Sequence, residues 1–228
     1  MILITTYYET ENITRNNEIK KCLIKNLKNK YIEKIYLLNN KIFDLDYIED
    51  DMDKIIQIII SDNDNYKLKY NDAINFINKN LSNNICILSN SDIYFDTSLS
   101  KINNSIIKNS LFALLRYDED IIGQKKIFCR HDIPRDDSQD SWIFKSPLNI
   151  NLDKLNFSLG TLGCDSIFLS ILYDEGINIK NPAHDIVTTH VHSSEFRTYN
   201  CDDRIHGNYC LLSPCYLGED STVSFMEY

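Results

Sequence analysis

The sequence predicts an α/β domain whose mostly parallel central sheet is flanked by helices. Short β-branched runs, which suit strands covered on both faces, alternate with amphipathic helix patterns along residues 1–96. The strand-like run 85–88 then stops in small polar residues and carboxylates, as strands do at a ligand crevice. At 228 residues the chain can bury one sizeable core, and no low-complexity linker divides it. We therefore expect one domain over 1–228.

Hydrophobic periodicity assigns the elements of the first half. The run 2–8 is apolar until it ends in polar and aromatic residues, and 16–29 carries apolar residues at helical spacing. Runs 32–38 and 54–60 are short and almost continuously apolar, and 70–81 is again amphipathic. The predicted strands are therefore 2–8, 32–38, 54–60 and 85–88, and the predicted helices are 16–29 and 70–81.

The second half of the chain is less regular. It predicts a helix near 98–109, a strand at 110–117 and then a polar segment that ends in 137–144. An amphipathic helix follows at 163–176, bounded by a glycine at each end, and the run 177–182 resembles a short strand. Long polar segments in compact domains are often functional, so we expect the polar segment to shape a substrate pocket.

Charge and composition exclude several classes of function. The formal charge of −9 argues against a nucleic acid polymer as partner, because surfaces that bind one use Lys and Arg to release counterions. No run approaches the roughly 20 apolar residues of a membrane span, and the first residues lack a signal-peptide pattern, which indicates a cytoplasmic protein. The seven cysteines are odd in number and form no CxxC pair, which favours reduced thiols over a metal site. The alternative site would use Cys201, Cys210, Cys215 and His206.

The residues that follow the run 85–88 point to a metal. In a parallel sheet the carboxyl ends of strands face the crevice, so Asn90, Ser91 and Asp92 would lie where a nucleotide diphosphate sits. A carboxylate beside a diphosphate is repelled unless a divalent cation such as Mg²⁺ or Mn²⁺ bridges the two. Asp92 is therefore a candidate metal ligand. The alternative is that Asp92 and Asp96 only form a turn or cap the next helix.

Four segments, in order along the chain, resemble GT-A glycosyltransferases. ILSNSDIYFD (87–96) resembles their DxD segment in an NSD variant, and LGTLGCDSIFLSILYDEGINIKNP (159–182) resembles a later block in which an acidic residue opens a helix. With SQDSWIF (138–144) and THVHSSEFRTY (189–199), they are similar to small sugar transferases of large DNA viruses and bacterial polysaccharide clusters. The resemblance covers most of the chain and implies a GT-A-like, Rossmann-like single domain.

The resemblance implies a metal site with one carboxylate from the NSD segment. Asn90 stands where the first Asp of DxD would be, so the segment supplies Asp92 alone. The fold often supplies a late histidine to the metal, and His190 and His192 alternate on a predicted strand, which directs both imidazoles to one face. We expect one of these histidines to join Asp92 on Mn²⁺ or Mg²⁺. Packing or exposure of the pair is the alternative.

The resemblance also implies a catalytic base. Asp165 matches the acidic residue that takes the acceptor's proton in inverting members, and the dipole at the start of its predicted helix would keep it ionised. An N-cap role is the alternative for Asp165. Asp140 is the rival base, with Trp142 beside it as a flat face for a sugar ring or as a core residue.

The remaining candidates would bind the nucleotide part of the donor. GT-A domains hold the base and ribose at the loop after the first strand, and an arginine at the same edge would neutralise diphosphate charge. An ordinary surface position is the alternative for either arginine. The candidates are Thr5, Thr6, Tyr7 and Tyr70 for the nucleoside, and Arg116 and Arg197 for the diphosphate.

These features together predict a metal-dependent, inverting hexosyl- or deoxyhexosyltransferase. It would move a sugar from a nucleotide-diphosphate sugar, UDP-linked, to a glycan or another hydroxyl acceptor. The incomplete DxD leaves one alternative, a non-catalytic module that binds a nucleotide sugar or a carbohydrate. A nucleotidyltransferase is disfavoured, because no Gly-rich, Arg-containing phosphate loop follows the first strand.

Overall fold

The computed structural model describes residues 1–120, 122–194 and 201–228. Its helices in these ranges are α1 (Ile13–Leu27), α2 (Tyr70–Asn80) and α3 (Cys164–Asp174). Its strands in the same ranges are β1 (Ile2–Thr5), β2 (Lys34–Asn39), β3 (Ile55–Ile59), β4 (Ile85–Ser89), β5 (Ile93–Phe95), β6 (Ser110–Glu119), β7 (Lys125–Ile127), β8 (Cys129–Arg130), β9 (Ile133–Pro134), β10 (Gln139–Lys145), β11 (Asn178–Lys180), β12 (Thr188–His190), β13 (Asn208–Leu212) and β14 (Val223–Glu227).

The central sheet runs in the order β3-β2-β1-β4-β10-β6-β12-β5, and β7 and β11 also pair with β6. Strands β1 to β4, β6, β11 and β12 point the same way, whereas β5, β7 and β10 are antiparallel to their partners. The predicted α/β class with a mostly parallel sheet is confirmed. The strand order reverses at β1 and β4, and the carboxyl ends of such neighbours border a ligand crevice in open α/β sheets.

Alternation along the strands builds a core on both faces of the sheet. Leu3 of β1 and Ile87 of β4 pack with Leu23 of α1 in one buried cluster. Their sequence neighbours Ile4 and Leu88 belong to a second cluster, together with residues of α2 and α3. Because both faces of these strands are covered, the strands are continuous apolar runs in the sequence.

Helix α1 is fixed against strand β5. Asn12 caps the helix by accepting a hydrogen bond from the Arg15 N–H at 2.9 Å. Asn26 Nδ2 donates to the Ile93 carbonyl at 2.8 Å, and Asn26 Oδ1 accepts from the Phe95 N–H at 3.0 Å. These bonds hold the last turn of α1 against β5.

The structure corrects the predicted helix near 98–109. Only a short 3-10 turn, Thr97–Lys101, forms at its start. The Asn103 carboxamide then accepts hydrogen bonds from the Ser105 and Ile106 N–H groups. Local side chain to backbone bonds of this kind compete with a continuous helix, which explains why none forms.

The polar segment after the predicted strand 110–117 is largely strand rather than loop. β6 continues to Glu119 and pairs with β7, and β8 and β9 form a small hairpin. β10 inserts antiparallel between β4 and β6. Polar residues open β10 and make it hard to recognise in the sequence, whereas Trp142, Ile143 and Phe144 in its second half are buried. The hairpin of β13 and β14 was not predicted either. The strand predicted to carry both histidines, β12, ends at His190, so His192 lies two residues beyond it.

The helices are short compared with a membrane span. α1 has 15 residues, whereas about 20 apolar residues cross a bilayer. No helix within the described ranges is both long and apolar enough to cross a membrane.

Candidate functional site

Most of the chemically active residues indicated by the sequence collect at the carboxyl edge of the sheet. Asp92 follows β4, Arg116 lies in the second half of β6, and His190 ends β12. Asp140 reaches the same edge because it lies near the start of the antiparallel β10, and Asp165 lies in the first turn of α3. The topology therefore brings together residues that are far apart in the sequence.

Asp92 is buried, with 8% of its surface exposed, and it contacts two cationic groups. Its Oδ2 accepts a hydrogen bond from Arg15 Nη2 at 2.7 Å and lies 3.2 Å from His190 Nε2. Burial alone would raise the pKa of Asp92, but the charges and hydrogen bonds of His190 and Arg15 hold it well below its usual range. Asp92 is therefore an ionised carboxylate, and a turn or capping role does not account for these contacts.

The two histidines stack on each other beside Asp92, with ring centroids 5.3 Å apart and planes at 12°. His190 Nδ1 lies 3.1 Å from Asp118 Oδ1, so this imidazole bridges the carboxylates of Asp92 and Asp118. Burial would lower the pKa of His190, but the charge of Asp92 and the hydrogen bonds to both carboxylates raise it to about 9. Burial and the positive charges of His190 and Arg15 lower the pKa of His192.

Asp92, His190 and His192 could together hold a metal ion. One donor atom of each lies within 4.8 Å of the others. A carboxylate with two imidazoles suits an open three-ligand metal site, and imidazole nitrogen favours a transition metal over Mg²⁺. The donor set therefore fits a divalent ion such as Mn²⁺, whose binding would displace the proton that His190 shares with Asp92. All three ligands that the sequence indicated belong to this group.

Two buried charged residues of α1 also belong to the site, although no sequence motif indicated them. Arg15 Nη1 lies 3.1 Å from His192 Nδ1 and donates to Glu18 Oε2 at 3.1 Å, and Arg15 Nη2 donates to the Tyr8 hydroxyl at 2.9 Å. Burial would raise the pKa of Glu18, but hydrogen bonds from Arg15 and Ser194 lower it. Arg15 and Glu18 lie on the buried face of α1. A charged pair within an apolar helix face is the sequence signal that would have indicated them.

A second cluster of charges lies beside the first. Arg116 Nη1 donates to Asp140 Oδ2 at 2.9 Å, and Arg116 Nε donates to Asp118 Oδ1 at 3.1 Å. Asn90 Nδ2 donates to Asp140 Oδ1 at 2.9 Å. Burial would lower the pKa of Arg116, but Asp140 and Asp118 raise it, so Arg116 is a fixed cation. Since Asp118 also contacts His190, the two clusters form one network.

Asp165 is partly buried at the edge of this network. Its Oδ2 accepts a hydrogen bond from the Gln139 N–H at 3.0 Å. Burial and the negative charge of Asp140 raise the pKa of Asp165 to about 7, against the backbone hydrogen bonds of Gln139 and Ser166, which lower it. The structure thus differs from the expectation that the helix dipole keeps this carboxyl fully ionised. The N-cap of α3 is Gly163, so Asp165 does not cap the helix.

Two aromatic residues expected to contact a ligand belong to the core instead. Trp142 and Tyr70 are both 0% exposed. Tyr70 packs on Trp142 and Phe168 with ring centroids 5.1 and 4.5 Å apart, and its hydroxyl lies 3.6 Å from Cys164 Sγ. A ring without exposed surface cannot stack on a sugar or a base, so the structure corrects both expectations in favour of packing.

The loop after β1 is held closely by the end of β2. Asn39 Oδ1 accepts hydrogen bonds from the Tyr7 N–H at 2.8 Å and from the Thr6 hydroxyl at 3.2 Å. The side chains of Thr5 and Tyr7 are buried, and the Tyr7 ring packs on Phe43 with centroids 5.1 Å apart. Of the three loop residues, Thr6 alone is partly exposed. A nucleoside contact by this loop stays a prediction for Thr6 and for backbone groups.

Two further candidates remain predictions. Ser91 is partly exposed between Asn90 and Asp92. Arg197 lies outside the described residues.

No family model and no curated protein sequence matches the chain. Among solved structures it is similar to a 4-diphosphocytidyl-2C-methyl-D-erythritol synthase from Anaerococcus prevotii, with 15% identity over 89% of this chain and 93% of that chain and a TM-score of 0.47. It is also similar to TarS from S. aureus, with 10% identity over 86% of this chain and a TM-score of 0.43. The chain spans 58% of that TarS chain. Likeness at this level does not indicate what the chain binds or which reaction it catalyses.

Proposed function

We propose that the chain is an inverting glycosyltransferase that moves a sugar from a nucleotide-diphosphate sugar, UDP-linked, to a hydroxyl of a glycan acceptor. One observation carries the proposal. Asp92, His190 and His192 could hold a divalent cation, and they belong to the same network of charges as Asp140. The negative charge of Asp140 helps to raise the pKa of the partly buried Asp165 to about 7. Sugar transfer by direct displacement needs these two functions, positive charge for a leaving diphosphate and a base for the acceptor.

The leaving-group side of the reaction would use the cation site. When bound, Mn²⁺ or Mg²⁺ supplies positive charge that stabilises a departing diphosphate. Asp92 and the two histidines, His190 and His192, would hold it. Arg116 adds a permanent positive charge at the same edge, and its bonds to Asp140 and Asp118 fix its direction before any donor arrives.

The acceptor side would use Asp165 as general base. A carboxyl with a pKa of about 7 is substantially ionised at neutral pH, yet basic enough to take a proton from an attacking hydroxyl. The rival base, Asp140, has both oxygens engaged, one by Arg116 and one by Asn90. Asp140 therefore fits better as the group that orients Arg116 and raises the pKa of Asp165.

A single displacement with this arrangement inverts the anomeric carbon. The base would remove the proton of the acceptor hydroxyl as its oxygen attacks from the side opposite the diphosphate. The diphosphate then leaves with the electron pair of the glycosidic bond. No covalent enzyme intermediate is required, so no nucleophilic side chain is assigned.

A panel of nucleotide sugars tests the proposal. The chain is incubated with each donor and Mn²⁺, with a chelator in a parallel set, and released nucleotide diphosphate is measured. Slow release from at least one donor, lost with the chelator, supports a transferase, because donor hydrolysis is the side reaction of such a site. Nucleotide binding without release from any donor would instead favour a non-catalytic module that binds a nucleotide sugar or a carbohydrate.

A further inference from the structure

A positively charged side chain already lies among the atoms that would hold the metal. Arg15 Nη2 is 2.7 Å from Asp92 Oδ2, and Arg15 Nη1 is 3.1 Å from His192 Nδ1. The residue is 7% exposed, and Glu18 and the Tyr8 hydroxyl hold the same guanidinium from other sides, at 3.1 and 2.9 Å. Two of the three donor residues therefore share one guanidinium.

The hydrogen-bond chemistry of arginine prevents Arg15 and a metal ion from binding the same nitrogen of His192 at the same time. A guanidinium can only donate, so His192 Nδ1 must accept, and its lone pair points at Arg15. A metal ion on the same nitrogen would need the same lone pair. An ion bonded to Asp92 Oδ2 would also lie within a few ångströms of the guanidinium charge, which repels it.

Glu18 links Arg15 to the residues that directly follow His192. Its Oε1 accepts hydrogen bonds from the Ser193 and Ser194 N–H groups at 2.6 and 2.7 Å, while Oε2 accepts from Arg15. The carboxylate that holds Arg15 thus also holds the two residues next to His192. Displacing Arg15 from Asp92 and His192 therefore leaves it a partner in Glu18.

We propose that Arg15 is a displaceable cation that controls entry of the divalent ion. Asp92 and His192 bind either the guanidinium or the metal, and the metal binds in full only when Arg15 leaves. The inference deepens the proposed function and rests on its metal site, but it does not depend on any reaction taking place there.

Metal titrations without nucleotide test this directly. Co²⁺, whose visible absorption reports imidazole ligation, is titrated into the native chain, Arg15→Gln and the matched control Arg204→Gln, and Mn²⁺ affinity is measured by calorimetry. Arg204 contacts Tyr209 and stacks on Tyr228, so its variant removes the same charge elsewhere. The substitution removes a positive charge that lies beside the metal ligands and repels the ion. Metal should therefore bind Arg15→Gln about tenfold or more tightly than the native chain. Binding to Arg204→Gln should equal that of the native chain.

Equal or weaker metal binding by a folded Arg15→Gln, compared with the native chain, overturns the inference. Failure of both the native chain and Arg15→Gln to bind metal overturns it as well. A measurement on the native chain covers the case of a variant that does not fold. With arginine and histidine isotope labels, added Zn²⁺ should shift the NMR signals of the Arg15 Nε–H and the His192 ring together. A His192 shift without an Arg15 shift contradicts the exchange. Because no sugar donor is present, these results stand whether or not transfer is detected.

Discussion

At the scale of single residues, Asn90 illustrates how one side chain sets the charge of the site. Its amide donates a hydrogen bond to Asp140 Oδ1 at 2.9 Å. An aspartate at position 90 would place a second carboxylate against Asp140 and repel it. The NSD sequence therefore fits a site in which a donor, rather than another acid, is needed at its first position.

The burial of Asp92 determines what its removal does to stability. A solvent-exposed carboxylate at a strand end would contribute little, but the Asp92 and Arg15 side chains are only 11% and 8% exposed. Breaking a buried pair by removing one partner typically costs about 3–5 kcal/mol. We expect Asp92→Ala to lose metal binding and to lower the free energy of unfolding by an amount of that order, measured by urea titration. The exposed Asp64→Ala is the control, and native-like stability of Asp92→Ala would contradict the buried ion pair.

Asp165 makes stability depend on pH. Its pKa is about 7 in the folded chain and 3.8 for a free carboxyl, so folding favours the protonated form. The stabilising contribution is therefore complete below pH 3.8 and is lost as pH rises through about 7. Asp165→Asn cannot titrate and does not show this loss. The free energy of unfolding of the variant minus that of the native chain should therefore rise from about pH 5 to about pH 8.

Denaturant titrations at both pH values measure this difference, and Asp64→Asn on the exposed surface is the matched control. Each unit of pKa shift corresponds to about 1.4 kcal/mol, so the expected rise is a few kcal/mol at most. The same stability difference at both pH values would show that the pKa of Asp165 is not raised in the folded chain.

At the scale of elements, β10 links the site to the core. It inserts antiparallel between β4 and β6, so its first residues reach the carboxyl edge of the sheet. There Asp140 meets Asn90, and the Gln139 N–H meets Asp165. Farther along the same strand, Trp142 enters the core below α2 and α3. One strand thus positions both the charged network and a central aromatic residue.

Trp142 separates a packing role from ligand contact. Trp142→Phe keeps an aromatic ring but leaves unfilled volume beside Tyr70 and Phe168, so stability should fall by about 1–3 kcal/mol. Donor affinity, measured by calorimetry below the unfolding transition, should be unchanged. Weaker donor binding with unchanged stability would restore Trp142 to the ligand site.

At the scale of the whole molecule, the sequence predicts the sheet but not every strand. Burial on both faces leaves continuous apolar runs, and β1, β2 and β4 therefore lie where the sequence predicts them, within a few residues. The partly buried edge strand β3 also lies at its predicted apolar run. β10 is hidden because its opening residues are polar and its pairing is decided by strands distant in sequence. The predicted helix near 98–109 fails for a local reason, the hydrogen bonds of the Asn103 side chain.

The residues of the site likewise divide into those that the sequence indicates and those that only the structure reveals. Asp92 could be predicted because the carboxyl ends of parallel strands meet at one edge of the sheet. His190 and Asp165 are indicated only by the resemblance of their segments to GT-A glycosyltransferases. The partners of Arg15 and Glu18 could not be predicted from spacing, although a charged pair on the apolar face of α1 marks the two residues as unusual. The Arg15 to Asp92 contact joins positions 77 residues apart, and the Glu18 to Ser193 contact joins positions 175 apart. Only the packing of α1 against the sheet creates those contacts.

The anomeric configuration of the transferred sugar tests the central claim most directly. Once the donor panel has identified a donor, product from the native chain and from Asp165→Asn is followed by NMR of the anomeric proton. We expect a product of inverted configuration, formed about 10²–10⁴-fold more slowly by Asp165→Asn, because an amide cannot accept the acceptor's proton. Donor affinity should change little in that variant, since the cation site is intact. A product that retains the donor's configuration, or near-native turnover by Asp165→Asn, would contradict the central claim.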